Sequence, residues 1–161
     1  MTKNSFTLTN FEFVEKVKEI QKQDTVFAYG TYGNIVDENL ISWVCQTQLS
    51  RYHYNDELIQ KLQNHIGKRA YECTALITVP LRIEGAPTTT EIYNASPKKY
   101  LIEEMPELVG LGVYFYGHVG IYIGNGKAIE STFSGGNFGV AITNLADKPW
   151  TTAFMVAGVK Y

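Results

Sequence analysis

Residues 118–131, HVGIYIGNGKAIES, decide how this chain is read. Two short runs rich in Val, Ile and Tyr or Ala flank a Gly-Asn-Gly centre, which is the pattern of a β-hairpin. Parity fixes the pairing. A two-residue turn at Asn125-Gly126 would put Ile121 opposite Glu130 and leave Ile129 on the polar side. A three-residue loop Gly124-Asn125-Gly126, with Gly126 left-handed in a G1 bulge, instead pairs Ile123 with Lys127, Ile121 with Ile129 and Gly120 with Glu130. Val119, Ile121, Ile123 and Ile129 then share one face, and His118, Gly120, Tyr122 and Glu130 share the other. His118 and Glu130 become diagonal neighbours, roughly 7–8 Å apart at the backbone and within reach of long side chains. Gly120 leaves room between them. A carboxylate so placed can accept an imidazole N–H, fix the tautomer and favour the imidazolium. The competing reading is a surface His/Glu pair on a solvated sheet face.

The hairpin lies in a half of the chain that reads as strands: LIEEMP (101–106), LGVYFY (111–116), HVGIYIG (118–124), KAIEST (127–132), GVAITNL (139–145) and AFMVAGVKY (153–161). The first half reads as helices. Thr9 and Glu12 have capping-box spacing, and Phe13, Val17 and Ile20 recur at helical intervals to about Gln23. After a turn at Gly30 to Gly33, Asp37 caps a second helix with Ile41, Val44 and Cys45 on one face. Leu58, Leu62 and Ile66 mark a third that stops at Gly67. The segment Arg82 to Lys99 reads as a long connection able to wall a cleft. Helices first and strands second predict an α+β domain, residues 1–161, with its helices on one face of an antiparallel sheet.

Composition narrows the function. The chain has 161 residues, 45% hydrophobic and 19% charged, as expected of a folded protein, and its formal charge of −2 offers no basic face for nucleic acid. No run of about 18 apolar residues suggests a membrane span. The N-terminus, MTKNSFTLTNFEF, lacks the apolar core of a signal peptide, so the chain is expected to be made in the cytoplasm without an export signal of its own. Asn94-Ala95-Ser96 fits a glycosylation sequon that carries no weight without such a signal. Two cysteines without CxxC or paired Cys/His spacing argue against a zinc site or a disulfide scaffold, and any bridge would have to join Cys45 to Cys73.

Chemistry therefore rests on Cys73, in AYECTALI (70–77), and on a base for it. Cys45 sits on an apolar helix face and reads as core. His53 and His65 fall in the helical half, where surface or capping roles are the default, whereas His118 opens a strand opposite a carboxylate. A thiol nucleophile needs such a base, and the base needs a third group to hold its ring. Thr78, Val79 and Pro80 after Cys73 leave its local structure open between strand and short helix.

Three segments in order, FAYGTYG (27–33), YECTALI (71–77) and MPELVGLGVYFYGHVGIYIGNGKAIES (105–131), resemble the NlpC-type cell-wall cysteine peptidases, in the form found in phage endolysins and related lysis proteins. The resemblance implies a papain-like α+β fold with Cys73 as nucleophile at a helix N-terminus, where the dipole and an imidazolium would favour the thiolate. It implies His118 as general base and Glu130 as the group orienting the ring. Glu72 replaces the usual Asp and Ala75 a Gly. Phe27 stands where the family commonly has a tyrosine for the oxyanion, which makes Tyr29 the substitute candidate. Tyr29 and Trp150 are the further candidates for oxyanion or substrate contacts, with packing an alternative for Trp150. The implied activity is hydrolysis of an amide bond in peptidoglycan stem peptides or cross-bridges by a monomer that needs no metal or organic cofactor. A lysis system or another non-classical route would deliver it to the wall. Acyl transfer by the same triad, and non-catalytic binding of wall fragments or a partner protein, remain the alternatives.

Overall fold

The computed structural model describes residues 6–52 and 55–161. β1 (Leu8–Thr9) leads into α1 (Asn10–Gln21), whose head is the capping box read from the sequence: Glu12 N–H donates to the Thr9 hydroxyl at 3.2 Å, and Thr9 N–H to the Glu12 carboxylate at 2.9 Å. Phe13, Val17 and Ile20 are buried along its inner face. Next come β2 (Thr25–Phe27), β3 (Tyr32–Ile35), α2 (Glu38–Thr47), α3 (Leu49–Tyr52), α4 (Asp56–Gln63) and β4 (Arg69–Tyr71). The Asp37 carboxylate accepts Leu40 N–H at 2.7 Å at the start of α2. α4 ends before Ile66, which is exposed, so the helical spacing of Leu58, Leu62 and Ile66 overruns the element by one turn. His65 lies past that end with Nδ1 2.5 Å from the Lys61 carbonyl, and His53 lies outside the described residues.

β4 runs between β2, to which it is parallel, and β3, to which it is antiparallel. This small sheet occupies the stretch around FAYGTYG that the sequence presents as a turn. Its strands are three or four residues long, too short for periodicity to register. The Arg82–Lys99 connection likewise holds a helix after α5 (Ala75–Leu81), namely α6 (Thr89–Asn94), with its own capping box of Thr88 and Glu91.

The main sheet has six antiparallel strands in the order β5 (Lys99–Leu101), β10 (Thr152–Phe154), β6 (Gly112–Phe115), β7 (His118–Gly124), β8 (Lys127–Thr132), β9 (Gly139–Asn144). LIEEMP is not a strand. Pairing with β10 stops at Leu101, and Ile102–Glu104 closes into a 3₁₀ turn before Pro106, which lacks a donor for a ladder. AFMVAGVKY contributes to β10 and then to β11 (Val159–Lys160), which leaves the sheet to lie parallel to β1.

Inside the hairpin Gly120 pairs with Glu130 and Ile121 with Ile129, as parity requires. The extra residue is accommodated elsewhere than expected. Gly124 pairs with Lys127 across a two-residue Asn125-Gly126 turn, with φ of 54° and 68°, and the ladder slips between Tyr122 and Gly124. Asn-Gly accepts the left-handed conformation at both turn positions, so the turn keeps its preferred form and Ile123 becomes the bulge.

The alternation gives the sheet two buried faces. Val119, Ile121 and Ile129 pack with Phe13 and Val17 of α1 and Leu76 and Ile77 of α5. Tyr122, Ala128, Val113 and Ala153 form a second layer with Leu111 and Trp150. The face carrying His118 and Glu130 is thus covered rather than solvated, and the surface-pair reading falls. The three-stranded sheet packs with α2 and α4 in a third cluster. Gly112 pairs with Phe154 in adjacent strands, and a Cβ on Gly112 would come within 2.3 Å of that ring. Gly112→Ala is expected to lower stability by about 1–3 kcal/mol. Urea unfolding checks this, with an unchanged midpoint as the contrary result.

Candidate active site

Cys73 sits just ahead of α5, on a segment tied to the main sheet. The Ser131 hydroxyl, next to Glu130 on β8, donates to the Tyr71 carbonyl at 2.6 Å, and Glu72 N–H donates to the Thr31 carbonyl at 3.0 Å. α5 forms although Thr78 and Val79 prefer strands, because Ala75, Leu76, Ile77 and Leu81 are all buried. Pro80 falls in its last turn, and Arg82 ends it in the left-handed region, φ 54°. The thiol is half-buried, and backbone N–H groups of Val119, Thr74 and Cys73 itself lie against the sulfur. Val119 directly follows His118, so the cysteine meets the main sheet at the first residues of β7.

Those N–H groups favour a thiolate, but they do not prevail. Burial first, and then the neighbouring Glu72 carboxylate, push the Cys73 thiol up to about 12. Against the expectation of a thiolate favoured at a helix N-terminus, burial and that carboxylate both favour the neutral thiol. The extra carboxylate beside it and the apolar wall behind it outweigh a seven-residue helix.

His118 Nε2 lies 3.2 Å from Glu130 Oε1, the contact that parity predicts. Glu130 is fully buried and takes two further partners. Lys148 Nζ donates to the same Oε1 at 2.9 Å, and the Thr143 hydroxyl donates to Oε2 at 2.6 Å. Burial alone would raise this carboxyl, but the bonds from His118, Thr143 and Lys148 outweigh it and hold the group down at about 2. The ring of His118 is stacked on Trp150, centroids 5.4 Å apart and 13° between planes, with Phe115 at 5.2 Å. Trp150 is buried against the imidazole, the packing role that the sequence offers for it, and is not among the residues that line the groove in front of Cys73.

A groove of about 480 Å³ opens in front of Cys73, between the small sheet and the Arg82–Lys99 connection, whose Pro87 and Thr88 form one wall as the sequence suggests. Tyr29, Trp43 and Arg51 face them. Tyr29 is raised by burial, opposed by Arg51, and senses Cys73, while the Arg51 guanidinium lies 4.7 Å from the centre of its ring. Phe27 is buried edge-on to Tyr29 at 4.8 Å. On the groove floor the Glu72 carboxylate accepts from Gly30 N–H at 2.6 Å, the Tyr32 hydroxyl at 2.9 Å and the Thr74 hydroxyl at 2.5 Å. His118 is thus bonded to Glu130, the Cys73 sulfur meets the N–H of Val119, the residue after His118, and Tyr29 lines the groove with Cys73, whereas Thr143, Lys148, Arg51 and the ties of Glu72 leave no signal in the sequence. Thr143 lies two residues beyond Ala141, the partner of Glu130 in the β8–β9 ladder, and a known register would have revealed it. Lys148 arrives through a 3₁₀ turn, Leu145–Asp147, that leaves no periodic trace. Among the described residues no cluster of His, Cys, Asp and Glu is arranged to hold a metal, and no helix is long and apolar enough to cross a membrane.

A carboxyl lowered on folding contributes stability that is complete above its unfolded pKa, near 4.3, and that is lost as the pH falls through its folded value of about 2. The protein is expected to lose on the order of 3 kcal/mol from Glu130 between those limits. Glu130→Gln should flatten the acid limb in that window, as read by urea unfolding at stepped pH. A limb of unchanged slope would contradict the assignment.

No sequence-family description matches the chain, and neither does any curated protein. Solved structures do. NlpC1 from Trichomonas vaginalis aligns with a TM-score of 0.56 and 17% identity, over 93% of this chain but only 44% of that one, so this chain spans less than half of that relative. The P60 domain of an antigen from M. avium subspecies paratuberculosis aligns with a TM-score of 0.57 and 16% identity, over 94% of this chain and 98% of the other. The peptidoglycan hydrolase RipB from Mycobacterium tuberculosis aligns with a TM-score of 0.55 and 17% identity, over 94% and 67%. Identities this low speak to architecture alone, and the conclusion they support is that the chain adopts the papain-like α+β fold of NlpC/P60 domains.

Proposed function

We propose that the protein is a cysteine hydrolase that cleaves an amide bond in peptidoglycan stem peptides or cross-bridges. The observation that carries this reading is the convergence of three groups: a thiol at the floor of an open groove, an imidazole beginning the strand whose next N–H meets that sulfur, and a buried carboxylate bonded to the imidazole. An open groove favours turnover over the plugged cleft expected of a pure binding module. The likeness in fold to RipB, described as a peptidoglycan hydrolase, supports the substrate class.

With Nε2 of His118 engaged by Glu130, Nδ1 is the ring nitrogen left for chemistry. The neutral thiol gives its proton to Nδ1 as sulfur attacks the amide carbon, so the charge separates during attack rather than beforehand. Glu130 stabilises the imidazolium formed. Backbone N–H groups near Cys73 and the Tyr29 hydroxyl are the candidate donors for the developing oxyanion. His118 then protonates the leaving amine, the C–N bond breaks and a thioester remains. Water, deprotonated by His118, attacks the thioester, releases the acid and returns the proton to sulfur. Arg51, at the groove wall, suits a carboxylate on the substrate peptide.

Digestion of purified peptidoglycan, with new amine ends identified by mass spectrometry, tests the reading. Cys73→Ala is expected to release none, and equal release by both proteins would remove the nucleophile. His118→Ala should abolish activity more completely than Glu130→Ala, and initial rates in the reverse order would show that the ring needs no such partner. Arg51→Gln should raise KM about tenfold with little change in kcat, the cost of one charge-assisted bond, whereas an unaltered KM would take Arg51 out of substrate binding.

A further inference from the structure

Lys148 has no part in the chemistry described so far, yet its ammonium reaches the same carboxylate oxygen that holds the base. Nζ lies 2.9 Å from Glu130 Oε1, and His118 Nε2 lies 3.2 Å from that atom. The lysine is 12% exposed and the carboxylate 0%. Its remaining donors are directed to Ser134 Oγ at 2.7 Å and Thr132 Oγ1 at 3.5 Å, and those two hydroxyls lie 3.0 Å apart. The ammonium is therefore held in place from β8 and the loop after it, whereas a surface ion pair is free to swing.

This arrangement answers a difficulty posed by the rest of the site. A carboxylate without solvent contact, bonded to an imidazole, holds a proton on the ring. A ring protonated at neutral pH cannot act as base toward a thiol that is itself neutral. The groups around His118 and the carboxylate it bonds can be named by element: Glu130 from β8, bonded to the ring; the Thr143 hydroxyl from β9 and Lys148 from the segment after it, both bonded to Glu130; and Cys73 from the segment before α5, whose sulfur meets the N–H of Val119, with Glu72 beside it. Phe115 and Trp150 cover the ring and carry no charge. Among the described residues, Lys148 is the cation bonded to that carboxylate besides the imidazole itself.

We propose that Lys148 is a positioning residue for the base: by holding Oε1 of Glu130 it makes the carboxylate part of a charge-neutral acceptor, so that His118 is oriented without being locked as imidazolium. With both charges present, a neutral ring leaves the cluster neutral and a protonated ring leaves it at +1. Without the lysine, the neutral ring leaves a bare buried anion and the protonated ring cancels it, which reverses the preference. The inference bears on the hydrolase reading, because the base in question is the one that reading uses, but its test needs no turnover.

The test is an NMR titration of the imidazole protons of the full chain, with His118 identified among the three histidines by His118→Gln. Lys148→Met, which keeps the length of the side chain and removes the charge, should move the His118 midpoint upward by about one to two pH units. Lys148→Arg should leave it within about half a unit of the parent, by the same reckoning. Glu130→Gln should move it downward, and Glu130→Gln combined with Lys148→Met should return it toward the parent value. A folded Lys148→Met protein with the parent midpoint overturns the proposal. Should that variant fail to fold, the double variant decides, since removing both charges should restore folding, and a double variant that also fails overturns it. If the midpoints move as expected while peptidoglycan stays intact, the hydrolase reading fails and the role of Lys148 stands. If peptidoglycan is cleaved with the acid limb of kcat/KM unmoved in Lys148→Met, the role fails and the hydrolase stands.

Discussion

Glu130 carries a negative charge to a point that water does not reach, and donors from three separate stretches of chain converge on it. An isolated carboxylate there would simply take up a proton. It stays ionised because His118, Thr143 and Lys148 supply charge-assisted or hydroxyl bonds, and each is held by different structure: the start of β7, the ladder of β9 and the turn that follows it. Satisfying this one group therefore fixes the register of two strand pairs and the return of the chain at Lys148. A slip of β8 by one residue would turn the carboxylate to the other face, where it would meet Phe13 and Leu76, and a slip of β9 would turn Thr143 away from it.

The same sheet serves two purposes because both of its faces are buried. One packs on α1 and α5 and supplies apolar mass. The other is covered by Trp150, Leu111 and the partly buried Ile102, Met105, Leu108 and Leu145, and its outer end holds the imidazole. Gly120 reconciles the two. A Cβ there would lie 3.2 Å from Trp150, so the absence of a side chain admits the indole against the His118–Glu130 pair. The cysteine arrives from another part of the fold, and its approach is pinned by the Ser131 bond to Tyr71, two residues before it and one residue after Glu130.

Electrostatically the two ends of the site are driven apart. Burial and Glu72 hold the cysteine protonated, and three donors hold the glutamate ionised. Between them stands the one group whose ordinary pKa lies near neutrality. In the hydrolase proposed above, groups separated in this way would give each residue a single role, with the proton shuttling only at the histidine. Glu72 keeps its partners Gly30, Tyr32 and Thr74 on the groove floor, so the charge that disfavours the resting thiolate also organises the loop in front of it.

The sequence by itself determined the fold class, the first helix and its cap, and the pairing of Gly120 with Glu130. Each follows from local chemistry: capping side chains reach only a few residues, and side-chain alternation along a strand admits one register that buries Ile121 with Ile129. That register alone puts His118 beside Glu130. It could not tell whether their face was wet, because burial depends on what crosses it, and Trp150 comes from a strand entry twenty residues further on. The helix after Cys73, the small sheet around FAYGTYG and α6 were illegible for a related reason. They are short, and their residues adopt these forms because of what they pack against, not because of their own preferences. Lys148 and the protonation of Cys73 were decided by tertiary structure alone, since the first depends on a turn returning the chain to a buried anion and the second on how much water the fold removes from the sulfur.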